Sequence, residues 1–150
     1  MVDQKQSPEV KLQHIAKANE EILYSVSTVF PFEIFPTTIV ISKTKIDIIN
    51  YYFFFSKQLK SIMLSELGRA EVTTTAFLSC LILRGKISDI VLGRIPNLPS
   101  TRAQEAQSII QGLLVSKTEN IDVQHVDPQE LRQSAKAIGQ PQESRAKKIM

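Results

Sequence analysis

The sequence predicts an α+β protein, mainly β: a seven-stranded antiparallel barrel or sandwich capped by a C-terminal helix and preceded by an amphipathic N-terminal helix. Between residues 28 and 95, short runs of β-branched and aromatic residues are separated by turn residues, which is typical of strands. The links between these runs are short, which favours an antiparallel meander. Residues 102–115 then carry an apolar stripe at helical spacing, and the preceding β-layer is the natural surface to bury it.

Length and composition fit one globular domain with short extensions. The chain has 150 residues, of which 43% are hydrophobic and 22% are charged. The net charge of +3 is too small to indicate nucleic-acid binding by itself. One cysteine excludes a disulfide framework and two histidines leave little for a metal cage, so we expect neither a metal site nor a cofactor.

The sequence carries no signal for export or membrane insertion. It has no run of about 18 apolar residues, the length that a spanning helix needs. The N-terminal segment MVDQKQSPEV lacks the apolar core of a signal peptide. We therefore expect a cytoplasmic protein, with a peripheral position at the inner face of the membrane as the alternative.

A helix is predicted at residues 8–25, because Ser7 and Pro8 suit the N-cap and first helical positions. One face of this helix is apolar and the other is charged. The apolar stripe consists of Val10, Ile15, Ala18, Ile22 and Val26. We expect the stripe to dock on the aromatic run at 51–55 or on the same helix of a second copy, which would give a homo-oligomer.

The predicted strands are short and evenly spaced. They cover residues 27–35, 38–42, 45–52, 58–64, 70–77, 79–84 and 88–95. Pro31 interrupts the first of them, which fits an edge strand or a bulge. The two prolines of the 96–99 segment are expected to end the last strand.

Residues 51–55 hold five aromatic side chains in a row. Side chains of a strand alternate between its faces, so one set is expected in the core and the other under a helix. The alternative is a hairpin tip that inserts into a membrane surface or holds a partner.

Two helices are predicted after the strands. The first covers 102–115, with Thr101 as N-cap in a capping box with Gln104. The second begins at Asp127 and Pro128, ends at Gly139, and is expected to lie outside the core. This divides the chain into an N-terminal helix at 1–26, a β domain at 27–116, and a peripheral helix with a flexible tail at 117–150.

Three stretches of sequence carry a family resemblance: FPFEIFP at 30–36, TIVI at 38–41 and KIDII at 45–49. Together with the aromatic run and the late helix ending in IQGL, they resemble the bacterial pleckstrin-homology-like (PH-like) domains over about residues 27–115. The resemblance implies a PH-like fold and a binding or scaffold role that is rarely catalytic. The basic phosphoinositide motif of eukaryotic relatives is not matched, since only Lys43 and Lys45 flank a hairpin of that kind.

No catalytic residue stands out in the sequence. Cys80 lies in an apolar strand, which favours a structural buried thiol. His14 and His125 lack partners at metal-ligand spacing, and no phosphate-binding or nucleophile motif occurs. We expect a non-catalytic binding module; the alternative is a small enzyme whose site is assembled only in three dimensions.

A meander brings alternate turns to the same end of a sheet, here the turns at 43–44, 68–69 and 85–86. That end would collect a basic rim of Lys43, Lys45, Arg69, Arg84 and Lys86. The rim is our candidate ligand-binding site, and ordinary polar turns are the alternative explanation. We expect a protein partner, with an anionic lipid headgroup second and no specific nucleic acid.

Overall fold

The computed structural model describes residues 22–123 and 125–139, which form seven strands and two α-helices. The strands are β1 (Ile22–Ser27), β2 (Thr37–Ser42), β3 (Lys45–Tyr51), β4 (Lys57–Met63), β5 (Leu67–Thr75), β6 (Leu78–Gly85) and β7 (Val91–Pro99). The helices are α1 (Ser100–Thr118) and α2 (Pro128–Gly139), and a short 3-10 turn (Phe53–Phe55) joins β3 to β4. Neither helix is long and apolar enough to cross a membrane.

The strands form two antiparallel sheets, ordered β1-β2-β3-β4 and β5-β6-β7. Of the two predicted arrangements, the described residues form the sandwich and not a closed barrel. Alternating side chains point between the sheets, as period-2 patterning requires. The core is aliphatic; its fully buried members include Ile39, Ile41, Ile46, Leu81 and Leu83.

The predicted capping helix is confirmed, with longer bounds. α1 packs on strands of both sheets and buries one face. The buried apolar residues of that face are Ala103, Ala106, Ile109, Ile110 and Leu113. The predicted capping box is wrong, because β7 runs directly into α1. Pro99 occupies the N-cap position, and among the described residues no side chain caps this end.

α2 begins as predicted and ends at Gly139. The Asp127 Oδ1 accepts hydrogen bonds from the backbone N–H groups of Gln129 (2.9 Å) and Glu130 (3.3 Å), as an N-cap should. The expectation that α2 lies outside the core is wrong, because Leu131 and Ala135 are buried and join the core cluster.

Two predictions for the N-terminal part need correction. Residues 22–25, predicted as the end of a helix, belong to strand β1, in which Leu23, Tyr24 and Val26 are buried and Ser25 and Ser27 are exposed. Cross-strand pairing with β2 decides this, since Val26 lies opposite Ile39. The predicted strand at 27–35 is instead a loop from 28 to 36. The rest of the predicted helix, 8–21, lies outside the described residues.

The last strand does not stop before Pro96 as predicted, because the 96–99 segment belongs to β7. β7 is an edge strand, where prolines are tolerated because no partner needs their missing N–H. The register slips between Ser79 and Leu81, so β7 carries a bulge at Pro96 and Asn97. Asn97 adopts a left-handed conformation there, with φ of 58°.

Candidate functional site

The structure links three turns at one end of the sandwich. The backbone N–H of Leu64 donates to the carbonyl of Thr44 at 2.9 Å, which joins the β4–β5 turn to the β2–β3 turn. The N–H of Lys86 donates to the carbonyl of Glu66 at 2.9 Å, which joins the β6–β7 loop to the same turn. The β4–β5 turn lies at residues 64–66, a few positions before the predicted 68–69.

Of the predicted basic rim, two lysines come from the β2–β3 hairpin. Lys43 is buried, and its Nζ donates a hydrogen bond to the Val126 carbonyl at 2.8 Å. Lys45 forms an ion pair with Asp47 at 3.4 Å on the outer face of β3. Both ammonium groups are therefore engaged within the protein.

The two arginines lie opposite each other on β5 and β6. Arg69 pairs with Glu71 at 2.9 Å and with Asp89 at 3.0 Å, and Arg84 pairs with Glu71 at 3.0 Å. The hydrogen bond from Arg84, helped by the charges of both arginines, holds the pKa of Glu71 below its usual range. This cluster carries its own counter-ions and is not a concentrated positive charge.

Two adjoining clefts lie between these turns and the end of α1, with volumes of about 430 and 380 Å³. Lys43 lines the first and Lys86 the second, and both clefts share Leu64, Ser65 and Lys117. Lys117 was missed from sequence because the predicted helix stopped at residue 115. The lysine just beyond the apolar stripe, in the last helical turn, was the available signal.

The aromatic run is not in the core, so that part of the sequence prediction is wrong. β3 ends at Tyr51 and β4 begins at Lys57, so the last four residues of the run form the connection between the strands. All its side chains are exposed, from 41% for Tyr51 to full exposure for Phe55. Phe54 and Phe55 have φ of 58° and 60°, a left-handed conformation that phenylalanine rarely adopts.

The β1–β2 loop at 28–36 lies against this connection. The rings of Phe35 and Phe53 pack with centroids 4.8 Å apart, and the Tyr51 N–H donates to the Pro36 carbonyl at 3.2 Å. The β7 bulge holds the other side of the loop, because the Asn97 carbonyl accepts a hydrogen bond from the Val29 N–H at 3.1 Å.

These two segments form what we call the aromatic surface. It consists of Phe30, Phe32, Ile34, Phe35, Tyr51, Tyr52, Phe53, Phe54 and Phe55. With Phe77 on the β5–β6 turn, every phenylalanine of the chain lies among the described residues and is exposed. The core is built from aliphatic side chains, and the phenylalanine rings lie at the surface.

A polar cluster joins β1 to both helices. One oxygen of Glu105 accepts hydrogen bonds from Arg132 (3.0 Å) and Lys136 (3.1 Å), and the other accepts one from the Tyr24 hydroxyl (3.1 Å). The guanidinium groups of Arg102 and Arg132 each lie 5.0 Å from the centre of the Tyr24 ring. Cys80, expected to be buried, is half-buried on β6.

No protein-family model matches the chain, and no curated protein matches its sequence. Among solved structures, the chain is similar to "The pleckstrin homology (PH) domain of USP37", with a TM-score of 0.43 and 14% sequence identity. The similarity covers 61% of this chain and 97% of that chain. Membership of a bacterial PH-like family stays a prediction.

Proposed function

We propose that the protein is a non-catalytic PH-like binding module that docks through its aromatic surface. The order of elements supports the PH-like assignment: an antiparallel meander in two sheets, followed by a helix that covers the core. The observation that carries the function is the exposure of nine large aromatic or aliphatic side chains on two chain segments that contact each other. Rings that are not used in a core are available for a partner.

Three physical arguments favour a docking role over incidental exposure. Monomeric proteins rarely expose large contiguous apolar patches, because such patches promote association. The left-handed backbone at Phe54 and Phe55 costs free energy, of the order of 1–3 kcal/mol per residue, and strain of this kind concentrates at functional sites. Loops held by a rigid sheet are also where binding residues commonly lie.

The polar cluster around Glu105 supports the non-catalytic assignment over a small enzyme. Burial raises the pKa of Glu105, but the hydrogen bonds from Arg132, Lys136 and Tyr24 together outweigh it and lower the pKa. A general acid needs a raised pKa, and a general base needs a free oxygen facing its substrate. Glu105 has both oxygens bound to its own protein, so its role is to connect β1, α1 and α2.

Site-directed photo-crosslinking in cells tests the docking role. A photoreactive phenylalanine analogue at position 55 is compared with the same analogue at Ile87, which is 97% exposed on the β6–β7 loop and serves as the matched control. We expect adducts from position 55 and few from position 87. Equal yields at the two positions, or no adducts to protein or lipid from position 55 together with no binding to vesicles, would show that the aromatic surface is not a docking site.

A second proposal concerns anionic ligands at the end that carries the two clefts. The predicted rim of Lys43, Lys45, Arg69, Arg84 and Lys86 remains the candidate, and Lys117 adds to it. Among the described residues, Lys86 and Lys117 have no carboxylate within ion-pair distance, so their charges are the best placed for an anionic headgroup or acidic peptide.

The double variant Lys86→Glu/Lys117→Glu tests this second proposal, with binding to anionic vesicles and to an acidic peptide measured at low salt. Each cation near an anionic surface contributes roughly 1 kcal/mol, so we expect binding to weaken strongly and wild-type binding to fall with added salt. The double variant Lys60→Glu/Arg94→Glu is the matched control, because both residues are exposed and neither lines a cleft. Equal loss in both pairs would refute a localised site.

A further inference from the structure

We infer that the aromatic surface inserts into the interface of a phospholipid bilayer and does so by apolar contact, without recognising an anionic headgroup. This inference rests on the proposed docking function and names its partner. It depends on the order of side chains along the β3–β4 hairpin, on the charge of the two loops, and on the hydrogen bonding of the tip.

The side chains of the hairpin are ordered as they would be at a lipid–water interface. Phe54 and Phe55 are the most exposed and form the tip. Tyr51 and Tyr52 stand at the base, and Lys57 lies directly across from Tyr51 in the ladder. The apolar rings at the tip suit the acyl chains, the tyrosine rings suit the headgroup region, and the lysine suits the water beyond it.

The Tyr52 hydroxyl supports this orientation. It donates a hydrogen bond to Gln58 Oε1 at 3.1 Å, so the polar end of the ring points back along β4 and away from the tip. A tyrosine held this way places its ring at headgroup depth while its hydroxyl keeps a polar partner.

The charge of the two loops argues for apolar insertion and against attraction to anionic lipid. Residues 28–36 and 51–57 contain one acidic residue, Glu33, and one basic residue, Lys57. Glu33 accepts a hydrogen bond from the Asn97 side chain at 3.4 Å on the β7 side of the loop. The segments that would enter the membrane are therefore electrically neutral overall. Lys86 and Lys117, the cations proposed above for anionic ligands, line the clefts beyond the far end of β4.

Backbone hydrogen bonding lowers the cost of moving the tip out of water. The Tyr52 N–H donates to the Ser56 carbonyl at 2.8 Å. The Phe53 carbonyl accepts from both the Ser56 N–H at 3.4 Å and the Ser56 hydroxyl at 2.8 Å. Unpaired backbone groups are expensive in an apolar environment, and this turn pairs several of its own.

A tryptophan reporter tests insertion directly, because the chain has no natural tryptophan. Phe54→Trp is compared with Ile87→Trp, whose loop is joined to the β4–β5 turn at the other end of β4. With phosphatidylcholine vesicles, we expect a blue shift and quenching by brominated acyl chains for Phe54→Trp only. Circular dichroism and melting of both variants confirm that they are folded.

The loss experiment uses the double variant Phe54→Ser/Phe55→Ser, with Ile87→Ser as the matched control. We expect the partition coefficient on phosphatidylcholine vesicles to fall by roughly a hundredfold in the double variant, since each buried phenylalanine accounts for about tenfold or more. Ile87→Ser should bind as wild type does. Raising NaCl to about 0.5 M should leave wild-type binding unchanged, because screening weakens only charge attraction.

Other results would contradict bilayer insertion or the docking function itself. Absence of a blue shift at position 54, or binding that requires anionic lipid and disappears at high salt, would overturn bilayer insertion. Crosslinks from position 55 to a protein, combined with no vesicle binding, would also overturn insertion while leaving the proposed docking function intact. If neither crosslinks nor vesicle binding appear, the docking function itself fails.

Discussion

Tyr24 and Glu105 are joined by a hydrogen bond of 3.1 Å from the tyrosine hydroxyl to the carboxylate, although they lie 81 positions apart in the chain. Tyr24 belongs to β1 and Glu105 to α1. The same carboxylate also binds Arg132 and Lys136 of α2. One side chain therefore connects the first described strand to both helices, and its ionisation should affect how firmly they hold together.

We predict that Glu105→Gln lowers stability at neutral pH and reduces the loss of stability in acid. The pKa of Glu105 is lowered in the folded protein from its usual 4.5, so its contribution is present above about pH 4.5 and is lost as the pH falls through the folded value. Removing the charge should cost about 1–3 kcal/mol near pH 7. Urea unfolding of both proteins from neutral pH downward measures this, and parallel pH profiles would contradict it.

We predict that Tyr24→Phe protects the protein in alkali relative to wild type. Burial, together with the hydrogen bond to Glu105 and the negative charge of Glu105, raises the pKa of Tyr24 from 10.0 to about 12. A raised pKa gives stability that is complete below pH 10.0 and is lost as the pH rises toward 12. Near pH 7 the variant should be less stable by about 1 kcal/mol, because one hydrogen bond is gone.

The difference in unfolding free energy between wild type and Tyr24→Phe should therefore shrink as the pH rises from 10.0 to 12. Chemical denaturation at each pH measures that difference directly. A difference that stays constant over this range would mean that Tyr24 ionises equally easily in the folded and unfolded chains.

We predict that Ile109→Ala destabilises the protein by about 2–5 kcal/mol, because Ile109 is fully buried on the inner face of α1 and truncation leaves a cavity. Val115→Ala is the matched control on the same helix, since Val115 is 43% exposed and should change stability far less. Melting temperatures and denaturant midpoints report both variants. An unchanged melting temperature for Ile109→Ala would show that α1 does not cap the core.

Strand patterning in the middle of the chain could be predicted because alternation there is unambiguous. Ile39 and Ile41 on β2, like Leu81 and Leu83 on β6, repeat every second residue and are buried. β1 could not be assigned in the same way. Ile22 and Val26 fit a helical stripe, Tyr24 and Val26 fit a strand, and only pairing with β2 decides between them.

The candidate sites depended on information that a single sequence lacks. Aromatic residues are commonly buried, which favours the core for one set of residues 51–55 and a covering helix for the other. Their exposure follows from the bounds of the strands, because β3 ends at Tyr51 and β4 begins at Lys57. The position of the basic rim at one end of the sheets could be predicted, because alternate turns of a meander lie at the same end. The ion pairs that neutralise Arg69 and Arg84 required side-chain positions on neighbouring strands.

Gly112 lies where α2 crosses α1 at close range. Alanine is usually preferred over glycine within a helix by about 1 kcal/mol, so propensity alone predicts that Gly112→Ala is stabilising. Packing predicts the opposite, because a Cβ at position 112 would lie 2.5 Å from the carbonyl carbon of Ala135 on α2. That atom belongs to the backbone and cannot rotate away, so α2 must shift, and overpacking of this kind costs about 1–3 kcal/mol.

We therefore expect Gly112→Ala to be less stable than wild type, with faster amide exchange along α2 than in the sheets, because α2 is the element displaced. Gln104→Ala, at an exposed position of α1, is the matched control and should be neutral or slightly stabilising. Denaturant unfolding and hydrogen exchange measure the two effects separately. If Gly112→Ala were as stable as wild type and α2 stayed equally protected, the close crossing of the helices at Gly112 would be wrong.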